Sequence, residues 1–187
     1  MSKDTLCRKF CVAPMMGYTT PHARKLYRIL SQKTFLFTVM IAASTMLHSK
    51  TKDLIIENEL QNPIALQVGG SNIDDLAICS KIAKSYNYDE INLNVGCPSK
   101  AVQKGSFGAC LMEDKKLVRA CLEAMQNASD INASMKCRIG LGNDFNYDYF
   151  SSFINEIVRS GICTIYVHAR NAILNGINPK VIARFLR

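Results

Sequence analysis

Residues 89–112 read DEINLNVGCPSKAVQKGSFGACLM. The run Glu90–Val95 is β-rich and stops at Gly96-Cys97-Pro98, where glycine and proline break a strand. A loop carrying Gly105 and Gly108 follows, and helical periodicity takes over from Asp114 to Asn127. That is one strand–loop–helix unit, and the same rhythm recurs on both sides. Strand-like runs occupy 10–15, 34–41, 63–68, 132–138 and 164–168, with helix candidates at 21–30, 73–86 and 147–160. Strands alternating with helices specify a parallel sheet in an α/β fold. The chain holds about six such units. A closed eight-stranded barrel takes about 200–250 residues, whereas an open doubly wound sheet closes with five or six strands. The dinucleotide fingerprint GxGxxG is missing, since Gly69-Gly70 leads into Ser71-Asn72-Ile73. Periodicity does not choose between the two architectures.

The 187 residues are 48% hydrophobic and 20% charged, the composition of a single folded domain spanning 1–187. No apolar run approaches the roughly 18–20 residues of a membrane span. The opening MSKDTLCRKF has no apolar core of a secretory leader. A soluble cytoplasmic protein without membrane contact is expected. The eight cysteines include no CxxC pair and no histidine at zinc spacing, so neither a disulfide framework nor a metal site is expected. The net charge of +8 suits an anionic partner such as RNA, or solubility alone. It gathers at His22, Arg24, Lys25, Arg28 and Lys33, and again at Lys180, Arg184 and Arg187. A grip on nucleic acid and a solvated helix face are both open readings of these clusters.

In either architecture functional groups collect at the carboxyl ends of the strands. Those ends carry Ala13-Pro14-Met15, Gln67, Asn94, Lys136, Arg138, His168 and Arg170. If Leu93 and Val95 face the helices, Asn92 and Asn94 point inward, where unpaired polar groups are costly. Each residue alone reads well as a hydrogen-bonded core polar group. Together they suit a flat, heteroatom-rich ligand. Cys97, between Gly96 and Pro98 at the mouth of a loop that can cover a site, is a candidate nucleophile or general acid.

The string 89–112 resembles the active-site signature of tRNA-dihydrouridine synthases, close to the synthase A subfamily. APMMGYT (13–19), ALQVGG (65–70), MKCRIG (135–140) and VHARNAILNGINPK (167–180) resemble other segments of that family, in order and from about Phe10 to Lys180. The resemblance implies a (β/α)8 TIM barrel that holds FMN and takes electrons from NADPH, usually followed by a helical domain that helps grip tRNA. It implies an oxidoreductase that converts a uridine of tRNA to dihydrouridine. By motif position Cys97 becomes the catalytic acid, and Asn94, Arg138 and Arg170 bind substrate. Lys136 and His168 contact flavin and substrate, while Ala13, Pro14, Met15 and Gln67 line the flavin ring. A base taken out of its stack fits this chemistry, because ring faces are inaccessible within one.

Three departures from the family pattern stand out. Thr38-Val39-Met40 replaces the usual Thr-Glu-Met, and Asn171 follows Arg170 where lysine is usual. The chain also runs only to about the sixth unit, so strands seven and eight and the helical domain are expected to be absent. FMN then loses phosphate contacts commonly made after those strands. The alternative to a working enzyme is therefore a non-catalytic truncated remnant with weak or no FMN and tRNA binding. A different FMN barrel reductase acting on a small molecule fits the Cys97 string less well.

Overall fold

The computed structural model describes residues 8–48 and 61–174. Six strands, β1 (Leu36–Phe37), β2 (Ile41–Ala42), β3 (Ile64–Gly69), β4 (Glu90–Val95), β5 (Asn132–Arg138) and β6 (Thr164–His168), form one sheet. Every ladder is parallel, and the order β1–β3–β4–β5–β6 follows the chain, with β2 also on β3. A doubly wound sheet reverses direction at a switch point. This one winds in a single direction, as a barrel does.

Curvature makes the same point. In a flat sheet β1 and β6 would lie roughly 19 Å apart, four steps of about 4.8 Å. Yet the rings of Phe37 on β1 and Tyr166 on β6 meet edge to face at 5.1 Å. The sheet is curled, and Phe35, Phe37 and Ala65 form a small apolar cluster inside the curl. The larger core lies outside it. There Leu66, Leu93 and Met135 of the sheet share one cluster with Leu76, Leu122 and Phe153 of the helices. The described residues thus form a six-stranded arc of a (β/α) barrel.

The helices are α1 (Pro21–Leu30), α2 (Ala43–His48), α3 (Ile73–Ser85), α4 (Lys100–Lys104), α5 (Lys115–Ala128) and α6 (Tyr147–Val158). Side-chain caps start the long ones: Thr20, Asn72, Asp114 and Asn146 each accept an N–H of the first turn. Two of the expected strands come out differently. The first, 10–15, shrinks to a single bridge between Cys11 and Phe35, because Pro14 lacks an N–H and the chain turns at Met15–Thr19. The second, 34–41, is split. Leu36 pairs with Ile64 but Ile41 with Val68, so three residues (Thr38, Val39, Met40) stand opposite two. This is a β-bulge. Thr38 bridges it, its Oγ1 accepting from Gln67 N at 3.0 Å and donating to Val39 O.

Helix α1 has the expected bounds but faces the other way. Arg24 and Arg28 are buried at 1% and 5% exposure, while Ile29 and Leu30 are 77% and 75% exposed. Arg24 donates to Gln61 Oε1 and Thr19 O, and Arg28 to the carbonyls of Gln61, Pro63 and Ser31. Neither arginine is therefore available to nucleic acid or belongs to a solvated face. His22, Lys25 and Lys33 of that cluster are exposed, and Lys180, Arg184 and Arg187 lie outside the described residues. No helix among the described residues is long and apolar enough to cross a membrane. The described cysteines are all free, and no group of three or more described His, Cys, Asp or Glu side chains is placed to hold a metal ion.

Replacing Arg28 by Ala removes its hydrogen bonds to three carbonyls at once, of which Pro63 O keeps Leu36 N as a donor. Charge-assisted hydrogen bonds contribute about 1.5–3 kcal/mol each, partly recovered by water. Arg28→Ala is expected to destabilise the fold by about 3 kcal/mol, read as a lowered urea midpoint at unchanged m-value. A midpoint within error of wild type would contradict this role.

Candidate functional site

The cross-strand register assembles the site in rows. Gln67 is level with Asn92 and Asn92 with Ser134; one step up, Asn94 is level with Lys136 and Lys136 with Tyr166; above them Arg138 is level with His168. Alternation along each strand puts these side chains on one face, the inside of the curl. Asn92, Gln67 and Ser134 are fully or almost fully buried, whereas Asn94, Lys136, Arg138 and His168, nearer the rim, are half-buried.

Cys97 sits on the rim in a loop tied down at several points. Its backbone N–H and that of Gly96 both donate to Asn94 Oδ1, at 3.0 and 3.1 Å. Its carbonyl accepts from Ala109 N at 2.9 Å, and its Sγ lies 3.5 Å from Ser99 Oγ. The segment 98–111, expected as a covering loop, folds into α4 and enters a 3₁₀ turn at Gly108–Glu113. Gly108 has φ +77°, and a Cβ there would stand 2.6 Å from Cys97 O, so glycine is required. The Phe107 ring lies so close over Gly69 and Gly105 that neither position has room for a Cβ. Gln103 Nε2 donates to both Pro98 O and Leu174 O, joining this loop to the one after β6.

The cations divide by what they hold. Arg138 donates from Nε to Gly96 O at 2.9 Å and from Nη1 to Asn171 O at 3.3 Å, so part of its fork braces backbone. Asn171 itself donates to Asp144 O at 2.6 Å, a loop brace where the family pattern has lysine. The side chains of Lys136, His168 and Arg170 make no hydrogen bond among the described residues. Burial and neighbouring Arg138 pull the Lys136 ammonium below its ordinary value. Burial, then Arg138, Lys136 and Arg170, likewise hold His168 below its usual range. The electrostatic neighbours of Lys136 include the Cys97 and Cys137 thiols and no carboxylate. Among the described residues Lys136, Arg138 and Arg170 make no ion pair with a carboxylate, and such cations suit an anionic or carbonyl-rich ligand.

Cys97 is half-buried, whereas Cys79, Cys121 and Cys137 lie in the core. Burial pushes the Cys79 and Cys137 thiols up to about 12 and that of Cys121 to about 11, the state of inert packing residues. Ala13, Pro14 and Met15 lie on a separate segment beyond the Cys11–Phe35 bridge, Ala13 and Met15 exposed and Pro14 half-buried. Val39 lies half-buried in the bulge. Glu90 and Ser134, both fully buried beneath the site, escaped the sequence reading. For Glu90 a signal existed: it shares the period-two face of Asn92 and Asn94.

Fold and site together define a (β/α)-barrel protein with a polar, cationic cluster at the carboxyl ends of its strands. The family model for dihydrouridine synthase (Dus) matches residues 11–180, and the chain belongs to this family. It is 43% identical over 175 residues to the tRNA-dihydrouridine(20/20a) synthase of Vibrio parahaemolyticus, covering 93% of this chain and 53% of that protein. It is 45% identical to the protein of the same name from Vibrio cholerae, over the same shares of both chains. Identity to that of Escherichia coli K12 is 44%, over 92% of this chain and 50% of the relative. The chain thus spans about half the length of the curated relatives it matches.

A depressed His168 has a defined pH signature. Its proton is bound more tightly in the unfolded chain, so His168 contributes stability above its ordinary pKa of about 6.5 that fades as pH falls through the folded value. The NMR titration of its ring is expected to have its midpoint below 6.5, and Lys136→Met is expected to move it upward. A midpoint at or above 6.5, or one insensitive to Lys136, would contradict the cationic cluster.

Proposed function

We propose that this chain carries the catalytic rim of an FMN- and NADPH-dependent tRNA-dihydrouridine synthase, reducing the 5,6 double bond of a uridine in tRNA. The observation that carries the reading is Cys97. It is a half-buried thiol on the rim, its loop fastened to Asn94 and Arg138, beside the unpaired donors Lys136, His168 and Arg170. Family membership and the tRNA-dihydrouridine(20/20a) synthase names of the relatives support the same reading.

The donor set fits a flavin. Lys136 and His168 offer N–H groups toward the carbonyl and nitrogen edge of such a ring, and Gln67 keeps one N–H and one lone pair beyond its partners. Ala13, Pro14 and Met15 supply the apolar side. FMN held there and reduced by NADPH would supply a hydride for carbon 6 of the uracil. Cys97 gives its proton to carbon 5, and the thiolate regains one from water. Asn94, Arg138 and Arg170 hold the uracil, its carbonyl oxygens accepting from their N–H groups. The Lys136 ammonium, near Cys97, steadies the thiolate left behind. The base must leave its stack to reach this rim. The work is that of a soluble, cytoplasmic enzyme.

Positioned acid catalysis contributes about 10²–10⁴-fold. With NADPH, FMN and unmodified tRNA, the wild-type chain is expected to form dihydrouridine. Cys97→Ala is expected to lower the rate about 10²–10⁴-fold while FMN binding is kept. An unchanged rate in that variant would overturn the acid assignment. No dihydrouridine from the wild-type chain would overturn the reading itself.

A further inference from the structure

Beneath the rim an unbroken chain of side-chain hydrogen bonds climbs the inside of the curl. Arg8 Nη2 donates to Glu90 Oε2 at 2.5 Å, leaving Oε1 to accept from Ser134 Oγ at 2.5 Å. Ser134 Oγ accepts from Asn92 Nδ2 at 2.7 Å, and Asn92 Oδ1 from Gln67 Nε2 at 2.8 Å. Gln67 Oε1 accepts from Asn94 Nδ2 at 2.9 Å, and Asn94 Oδ1 accepts from Gly96 N and Cys97 N. From Glu90 to Asn94 the chain rises four residues along β4, roughly 13 Å.

We propose that Glu90 is a positioning residue whose carboxylate, through Ser134, Asn92, Gln67 and Asn94, sets the direction of this chain and thereby holds the Cys97 loop. Direction is the point, because each amide in the middle can turn over and exchange donor for acceptor. The ends cannot. A carboxylate only accepts, and backbone N–H groups only donate. With an acceptor below and donors above, a single orientation satisfies every link, and reversing one amide sets two donors or two acceptors face to face. The same count leaves Asn94 Oδ1 with both lone pairs filled. Asn94 therefore offers a ligand an N–H and no acceptor.

Glu90→Gln keeps the shape and removes the fixed end. With its oxygen toward Ser134, its NH₂ faces the Arg8 guanidinium, donor against donor. Turned over, it donates to Ser134, whose hydroxyl then turns either to Ile91 O at 3.5 Å or to Asn92, and in the second case the reversal runs up to Asn94, whose NH₂ meets the N–H groups of Gly96 and Cys97. Ser134→Ala cuts the chain instead. Amide hydrogen exchange at Gly96 and Cys97, divided by that of the Lys115–Ala128 helix to remove global loosening, reads the effect. Both variants are expected to speed this ratio about tenfold. Glu156→Gln, which removes a carboxylate paired with Arg119 and Arg159 outside the curl, is expected to leave it unchanged. An unchanged ratio in either folded variant of the chain overturns the proposal, and Ser134→Ala decides if Glu90→Gln does not fold. The link from the Cys97 loop to catalysis rests on the synthase reading above. Exchange needs neither flavin nor tRNA, so an inactive chain with the expected ratio overturns that reading and leaves this one standing.

Discussion

The inner face of the curled sheet is held by polar pairs where a parallel barrel ordinarily stacks branched apolar side chains. Glu90, Ser134, Asn92 and Gln67 are removed from water almost completely, and each is tolerable there because a neighbour satisfies it. Removing one member leaves a buried donor or acceptor unpaired, which costs more than the pair itself contributes. The arrangement exchanges apolar filling for orientation. It brings Asn94 to the rim with its oxygen already engaged by the loop that carries Cys97.

Single-direction winding does the rest of the positioning. Because every strand is parallel to its neighbour and follows it in the chain, all the carboxyl ends reach one rim. Lys136, Arg138 and His168 meet there across two strands although up to 32 residues separate them in sequence. Local devices then lock the rim: the Phe107 ring over Gly69, Gly108 beneath the Cys97 carbonyl, and Arg138 across to Gly96.

Much of this was legible in the sequence, for stated physical reasons. β4, β5 and β6 carry the expected bounds, because buried parallel strands are continuous β-rich runs with sharp stops. The inward set of Asn92 and Asn94 followed from period two. The choice of a barrel over an open sheet did not follow from periodicity, since winding direction leaves no local trace. The resemblance to dihydrouridine synthases supplied it, and the strand order bears it out. Helix α1 misled because amphipathic reasoning puts apolar groups inward. Here Arg24 and Arg28 instead turn in to serve the carbonyls of 19, 31, 61 and 63, partners distant in sequence or hidden in turns. The bulge at Thr38–Met40 is a register slip against β3, visible only once the strands are paired.

The proposal most open to direct test is that Lys136 and His168 of the rim contact a flavin. The direct measurement is a titration of FMN with the wild-type chain and with Lys136→Met, followed by flavin absorbance and fluorescence. The account predicts saturable binding with a shifted flavin spectrum in the wild type and clearly weaker binding in the variant. A free-flavin spectrum at every protein concentration, or equal binding by both proteins, would contradict it.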